Sequence, residues 1–360
     1  MHIPVMKIIP GLPDDVGLDC LIRVPYQHFS SITSVCRSWK VEIELPEFWR
    51  WRKAAGVCQQ IIVMAQARVD PTNNHGLKKY SATPVYRLTL YEAKTGGWSE
   101  LPPVPGLSDG LPMFCQLAAL DLNLVVIGGW NPVTWEVSNA MFIYNFVSAK
   151  WRRGTDMPRG HRSFFACASD SHRMVFVAGG HDTQKNALRS TMAYDMTKDE
   201  WVQLPDMARE RDECKGVFHH GKFHVIGGYP TEMQGCFERS AEAFDVATWQ
   251  WKQVQEDFLE TATCPMTCLD SGDGRLFMCR AGDVEVLQSP IWQVVAELPT
   301  EVHHTSYVTA WQDKLLVIGC PRFGEPHRAY LIGLKDNNWT KVEALEEYSG
   351  HVQSCCWLEI

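Results

Sequence analysis

Apolar residues recur at helical spacing up to Gly56 and in short alternating runs beyond it. In the first segment Leu12-Pro13-Asp14-Asp15 opens a helix that carries Val16, Cys20, Leu21 and Val24. A proline near N1 and carboxylates in the first turn suit a helix N-terminus. Pro25 starts a second helix, with Phe29, Ile32, Val35, Cys36 and Trp39 on one stripe. Pro46-Glu47 starts a third, with Phe48, Trp49 and Trp51, which stops near Gly56. Three short helices make a marginal core. They also carry more apolar surface than they can hide, so either the rest of the chain or another protein's helices must cover the surplus.

From residue 60 the pattern is that of strands, and it repeats. Three apolar runs end in a glycine pair: Val125-Val126-Ile127-Gly128-Gly129, Phe176-Val177-Ala178-Gly179-Gly180 and Val225-Ile226-Gly227-Gly228. Their first glycines stand 51 and 48 residues apart, and worn copies follow at 275–282 and 315–320. An independent aromatic series, Trp98, Trp151, Trp201, Trp251, Trp292 and Trp339, has spacings of 53, 50, 50, 41 and 47. Tyr91, Tyr144, Tyr194 and Phe244 precede the first four by seven residues. Two series with one period near 50 describe one supersecondary unit used six times.

Each unit reads as four strands, which in the third copy are 163–169, 173–180, 190–196 and 200–204. A lone four-stranded sheet has two open edges and buries little. Packing such sheets around an axis covers both faces. The tryptophans and the aromatics before them are expected between adjacent blades. The first copy has strands at 60–67, 85–91 and around Trp98 but lacks an inner one, and a surplus run remains at 352–359. That run supplies the missing strand, which predicts a six-bladed propeller closed by its C-terminal strand.

The glycine-pair, tyrosine and tryptophan spacing resembles the kelch repeat and covers most of residues 60–360. The order Leu12-Pro13, Leu21-Ile22, Val24-Pro25, then Val35-Cys36-Arg37-Ser38-Trp39, resembles the F-box, with Val24 where leucine is usual. The combination is similar to a family of plant F-box/kelch-repeat proteins. Asp109 to Cys115, Ile127 to Pro132 and Ala208 to Gly216 resemble the subgroup that directs phenylalanine ammonia-lyase, chalcone synthase or type-B response regulators to degradation. The resemblance implies an all-α F-box over 1–56 and an all-β kelch propeller over 57–360. It implies a substrate receptor that binds a Skp-type adaptor, and through it cullin and RING subunits. The adaptor would be met by Leu12, Pro13, Val16, Leu21, Ile22, Val24, Pro25, Ile32, Val35, Cys36 and Trp39.

Composition narrows the classes. Of 360 residues, 34 are Lys or Arg and 42 Asp or Glu, a net charge of −8, with a pI near 5.9. That balance disfavours a nucleic-acid groove or an anionic membrane surface as partner. No apolar run reaches the length of a membrane span. The beginning of the chain reads as no secretory signal. Thirteen cysteines without CxxC pairs fit reduced thiols, hence cytoplasm or nucleus.

Loops on a rigid scaffold carry recognition. In a four-stranded blade the second-to-third and fourth-to-first loops emerge on one face. The candidate client-binding residues there are Trp130, Trp135, Asn139, Arg159, Arg162, Asn186, Arg189, Arg209, Arg211, Asp212, Glu213, Glu238 and Arg239. Arginine charges would meet acidic groups, and the tryptophans would supply apolar area. Catalytic motifs such as GxSxG, HExxH and the P-loop are absent. No metal or cofactor is expected, since Cys264-x3-Cys268 has no second pair at finger spacing. The competing reading is a non-ligase kelch scaffold or small-ligand propeller with the helices as a cap.

Overall fold

The structure, a computed structural model, describes residues 8–69, 84–158, 160–288 and 290–360. Six four-stranded antiparallel sheets form a propeller, and a small helical region precedes it. Blade 1 joins Val352–Glu359 to Gln60–Ala67, Tyr86–Glu92 and Gly97–Glu100. Blades 2 to 6 follow in chain order from Gln116, Ala166, Lys215, Leu269 and His304. The closing strand pairs with the first propeller strand from Gln60↔Glu359 to Ala65↔Ser354. Blade 3 consists of Ala166–Ser169, Met174–Ala178, Thr191–Asp195 and Glu200–Leu204, each inside its expected run.

The repeated residues hold the ring together. Aromatic pairs meet at 5.0 Å (Tyr91–Trp98), 5.1 Å (Tyr144–Trp151), 5.5 Å (Tyr194–Trp201) and 5.5 Å (Phe244–Trp251) between centroids. Each of the six indole N–H groups then donates to a carbonyl of the preceding blade's outer loop. The acceptors are Glu343, Pro102, Thr155, Pro205, Phe258 and Glu297, for Trp98 through Trp339 in order. The fifty-residue period is therefore the distance from one inter-blade clasp to the next. The glycine pairs allow close approach, since a Cβ on Gly180 would lie 2.2 Å from the Ser163 carbonyl and its φ is +78°.

The helical region has four α-helices rather than three: α1 Asp14–Ile22, α2 Phe29–Ile32, α3 Arg37–Glu44 and α4 Pro46–Ala54. The expected second helix breaks because Cys36 takes extended angles (φ −157°, ψ 162°). Its Sγ accepts the Trp39 N–H at 3.5 Å, so the thiol caps α3. Leu21, Ile22, Phe29, Ile43 and Phe48 form one core with Ile61, Val63, Leu88, Leu90, Leu358 and Ile360. Full burial of such side chains contributes roughly 1.5–3 kcal/mol each, which seats the helices firmly on blades 1 and 2.

Candidate partner-binding surfaces

Two surfaces are separated by this architecture. On the helical region the apolar residues divide by direction. Leu21 and Ile22 are buried against the propeller, which corrects the expectation that they meet an adaptor. The i, i+1 pair ends α1 on its inner side, where the Ile22 carbonyl accepts from the buried guanidinium of Arg52. Leu12, Val24, Ile32, Cys36 and Trp39 are half-buried. Trp39 is tied by its indole N–H to the Ile8 carbonyl. Pro13, Val16, Pro25 and Val35 are exposed, Val16 at 42% and Val35 at 61%. Val41 and Trp51, which are not among the expected adaptor contacts, are exposed as well. Part of the surplus apolar surface is covered by the propeller and part faces outward.

The second surface is the propeller face that carries the second-to-third and fourth-to-first loops. Backbone bridges Met113↔Trp130, Ser163↔His181 and Asp212↔Tyr229 join the two loop types around its rim. Arg162 and Arg211 do not point out of it. They are 4% and 0% exposed. Arg162 donates to the carbonyls of Gly179 and Ser190 at 3.1 Å and to Ser190 Oγ at 2.6 Å. Arg211 repeats the pattern one blade on, with Gly227 O at 2.7 Å, Ser240 O at 3.2 Å and Ser240 Oγ at 2.8 Å. Both guanidiniums satisfy carbonyls around a glycine-pair strand end, so they are staples of the blade. Burial draws the Arg162 pKa down to about 10. Arg211 also meets buried Glu242 at 3.1 Å.

The other candidates sort in the same way. Asp212 is buried and accepts from His181 at 2.9 Å. Asn139 is half-buried, and its amide holds the Met157 carbonyl. Half-buried Arg209 is spoken for by Glu238 at 3.0 Å and Glu256 at 2.7 Å. Glu213 is half-buried in a left-handed turn (φ 49°). Arg189, Asn186 and Arg239 are exposed, with Arg239 paired to Asp257. Arg159 lies outside the described residues.

What faces outward on blades 2 and 3 is aromatic. Trp130 packs edge-on against Phe114 (6.1 Å), Phe164 (6.2 Å) and Trp135 (6.3 Å), and its indole donates to Ser163 Oγ. Trp135 is 55% exposed and Phe114 39%. Phe114, Trp135 and Phe164 all have φ near +60°, as do Glu213 and Lys185 at the equivalent places of a neighbouring blade, so these left-handed turns belong to the repeat. Beside them is a cavity of about 500 Å³ between Trp135 and His161. Phe114 and Phe164, 50 residues or one repeat apart, are legible in the sequence as a pair. A larger cavity, of about 1060 Å³, lies on the same face at blades 5, 6 and 1, and no local sequence signal marks it. Among the described residues no three metal-ligating side chains cluster.

Comparison with known proteins agrees with this architecture. The Kelch motif matches residues 114–158 and 161–208. The chain is 47% identical to F-box/kelch-repeat protein At1g80440 of Arabidopsis thaliana, over 99% of this chain and 100% of that protein. It is 48% identical to At1g15670 of the same plant, over the same shares. The chain belongs to the F-box/kelch-repeat family. This F-box/kelch-repeat chain is also 35% identical to SKIP20 of Arabidopsis thaliana, over 69% of this chain and 66% of that protein. The solved structure of YjhT superposes with a TM-score of 0.57 at 15% identity, covering 78% of this chain and 97% of that one, and shares the propeller fold.

Proposed function

We propose that this F-box/kelch-repeat protein is the substrate-recognition subunit of an SCF-type cullin–RING ubiquitin ligase. Residues 1–56 bind a Skp-type adaptor, and the propeller of residues 57–360 holds a client protein. The observation that carries the reading is the divided helical region. One side is sealed into the propeller core through Leu21, Phe29 and Phe48, while Pro13, Val16 and Val35 remain uncovered. Exposed apolar side chains rigidly backed by a core fit a surface completed by another subunit. The receptor makes and breaks no bond; it raises the effective concentration of client lysines near the ubiquitin-charged enzyme.

The resemblance within the family suggests phenylalanine ammonia-lyase, chalcone synthase or type-B response regulators as clients, met in cytoplasm or nucleus. The test is co-expression of the full chain with a Skp-type adaptor and cullin, followed by size-exclusion chromatography. A stoichiometric complex that transfers ubiquitin to a client captured by the propeller is expected. A chain that elutes alone overturns the reading.

A further inference from the structure

Near the propeller axis Lys215 has no carboxylate partner among the described residues. Lys215 begins the inner strand of blade 4, Lys215–His219. Its ammonium crosses the channel to lie 4.9 Å over the ring of Tyr307, on the inner strand of blade 6. No described carboxylate stands among the groups that favour its charged form, which are Tyr307, Cys355 and Cys268. Glu213, two residues earlier, sits by the hydroxyl of Tyr229 instead. The other neighbours are thiols: burial pushes those of Cys167, Cys268 and Cys355 up to about 12. They are neutral thiols at physiological pH and offer no negative charge.

Withdrawing an ammonium from bulk water without an anion is costly, and an aromatic face returns only part of that cost. Lys215 is only half-buried, so solvent reaches it. Thr267 and Ser306, the chain neighbours of Cys268 and Tyr307, line a cavity of about 1060 Å³ on the face that carries the second-to-third and fourth-to-first loops. That cavity is lined by Phe323, His304 and His327, and by two charged groups that are already paired, Arg280 with Glu285 at 2.8 Å and Glu325 with Arg322 at 3.6 Å. Burial and nearby His351 draw His327 down to about 4, so it is neutral at physiological pH and adds no charge.

We propose that the channel is an organic-anion site, in which Lys215 receives a carboxylate whose apolar body occupies the adjoining cavity. A free organic acid and an acidic side chain of a protein share this chemistry, and the experiment separates them. Thermal unfolding of the full chain is followed at constant ionic strength with sodium hexanoate, hexanamide or the blocked dipeptide Ac-Leu-Glu-NH2. The expected result is a rise of about 2 °C once an acid probe exceeds its dissociation constant several-fold. Hexanamide has no effect, and the rise is lost in Lys215→Met. Should the methionine variant fail to fold, Lys215→Gln keeps a neutral polar end and serves in its place. A response to hexanoate alone assigns a free acid, and a response to the dipeptide alone assigns a peptide side chain. No rise with either acid, or an equal rise in the Lys215 variants, overturns the proposal.

Discussion

The guanidinium of Arg52 reaches the backbone carbonyl of Ile360 at 3.3 Å, across 308 residues of chain. The same group, 1% exposed, donates to the carbonyls of Ile22, Val24 and Val57, and lies 4.9 Å over the Phe29 ring. One buried cation thus ties the end of α1, the connection after α4 and the closing strand of blade 1. Relative motion of the helical region and the propeller is restrained at this point.

Arg52→Met leaves four carbonyls without this donor. We expect a loss of about 3 kcal/mol from the unfolding free energy of the helical region. The propeller should keep its tryptophan fluorescence, and limited proteolysis should cut near residue 57. Arg52→Lys should not rescue, because one ammonium cannot span the fan of acceptors. Protease resistance equal to the parent chain would count against the coupling.

Val16→Asp and Val35→Asp place a charge on the uncovered face of the helical region. Exposed positions tolerate this within about 0.5 kcal/mol of stability. Adaptor binding measured by calorimetry should nonetheless fall at least tenfold. Leu21→Asp, by contrast, should unfold the region, since that side chain is buried.

Arg211 and Trp135 should behave in opposite ways. Arg211→Met strands buried Glu242 and costs roughly 3–5 kcal/mol. Trp135→Ala removes a largely exposed ring and should leave the urea midpoint unchanged while client capture drops several-fold. Substitution of Arg211 therefore reports folding, and that of Trp135 reports recognition.

Acid should weaken the propeller before its carboxylates titrate. Burial lowers His224 and His327 from 6.5 to about 4. As pH falls, the unfolded chain takes up these protons first, so their stabilisation is complete above pH 6.5 and is lost between 6.5 and 4. Roughly 1–2 kcal/mol per histidine should disappear in urea titrations at pH 7 and pH 4.5, after allowance for partial exposure. The double variant His224→Gln/His327→Gln should flatten that slope.

Much of the propeller was legible because its signals repeat. Tryptophans near every fiftieth residue correspond to identical clasps, and a missing inner strand at one end with a spare run at the other implies closure. Arg162 and Arg211 carried the same kind of signal. They stand 49 residues apart, one repeat, and both fill the same place beside a glycine-pair strand end. Taken as isolated charges, without the repeat, they resemble recognition residues. The break at Cys36 was hidden because a thiol cap leaves the apolar stripe intact on both sides.

Periodicity is local chemistry: an alternation of two or a recurrence near four is set by backbone geometry and can be read from neighbours in the chain. It determined the six blades, the closing strand and the helical character of the opening segment. Direction is decided by distant groups. Ile360 determines that Arg52 is buried, Tyr307 and three thiols surround Lys215, and the blades beneath α1 turn Leu21 inward while Val16 and Val35 stay in water. Burial depends on which residues the completed ring brings together, so only the tertiary structure could separate staples from surfaces.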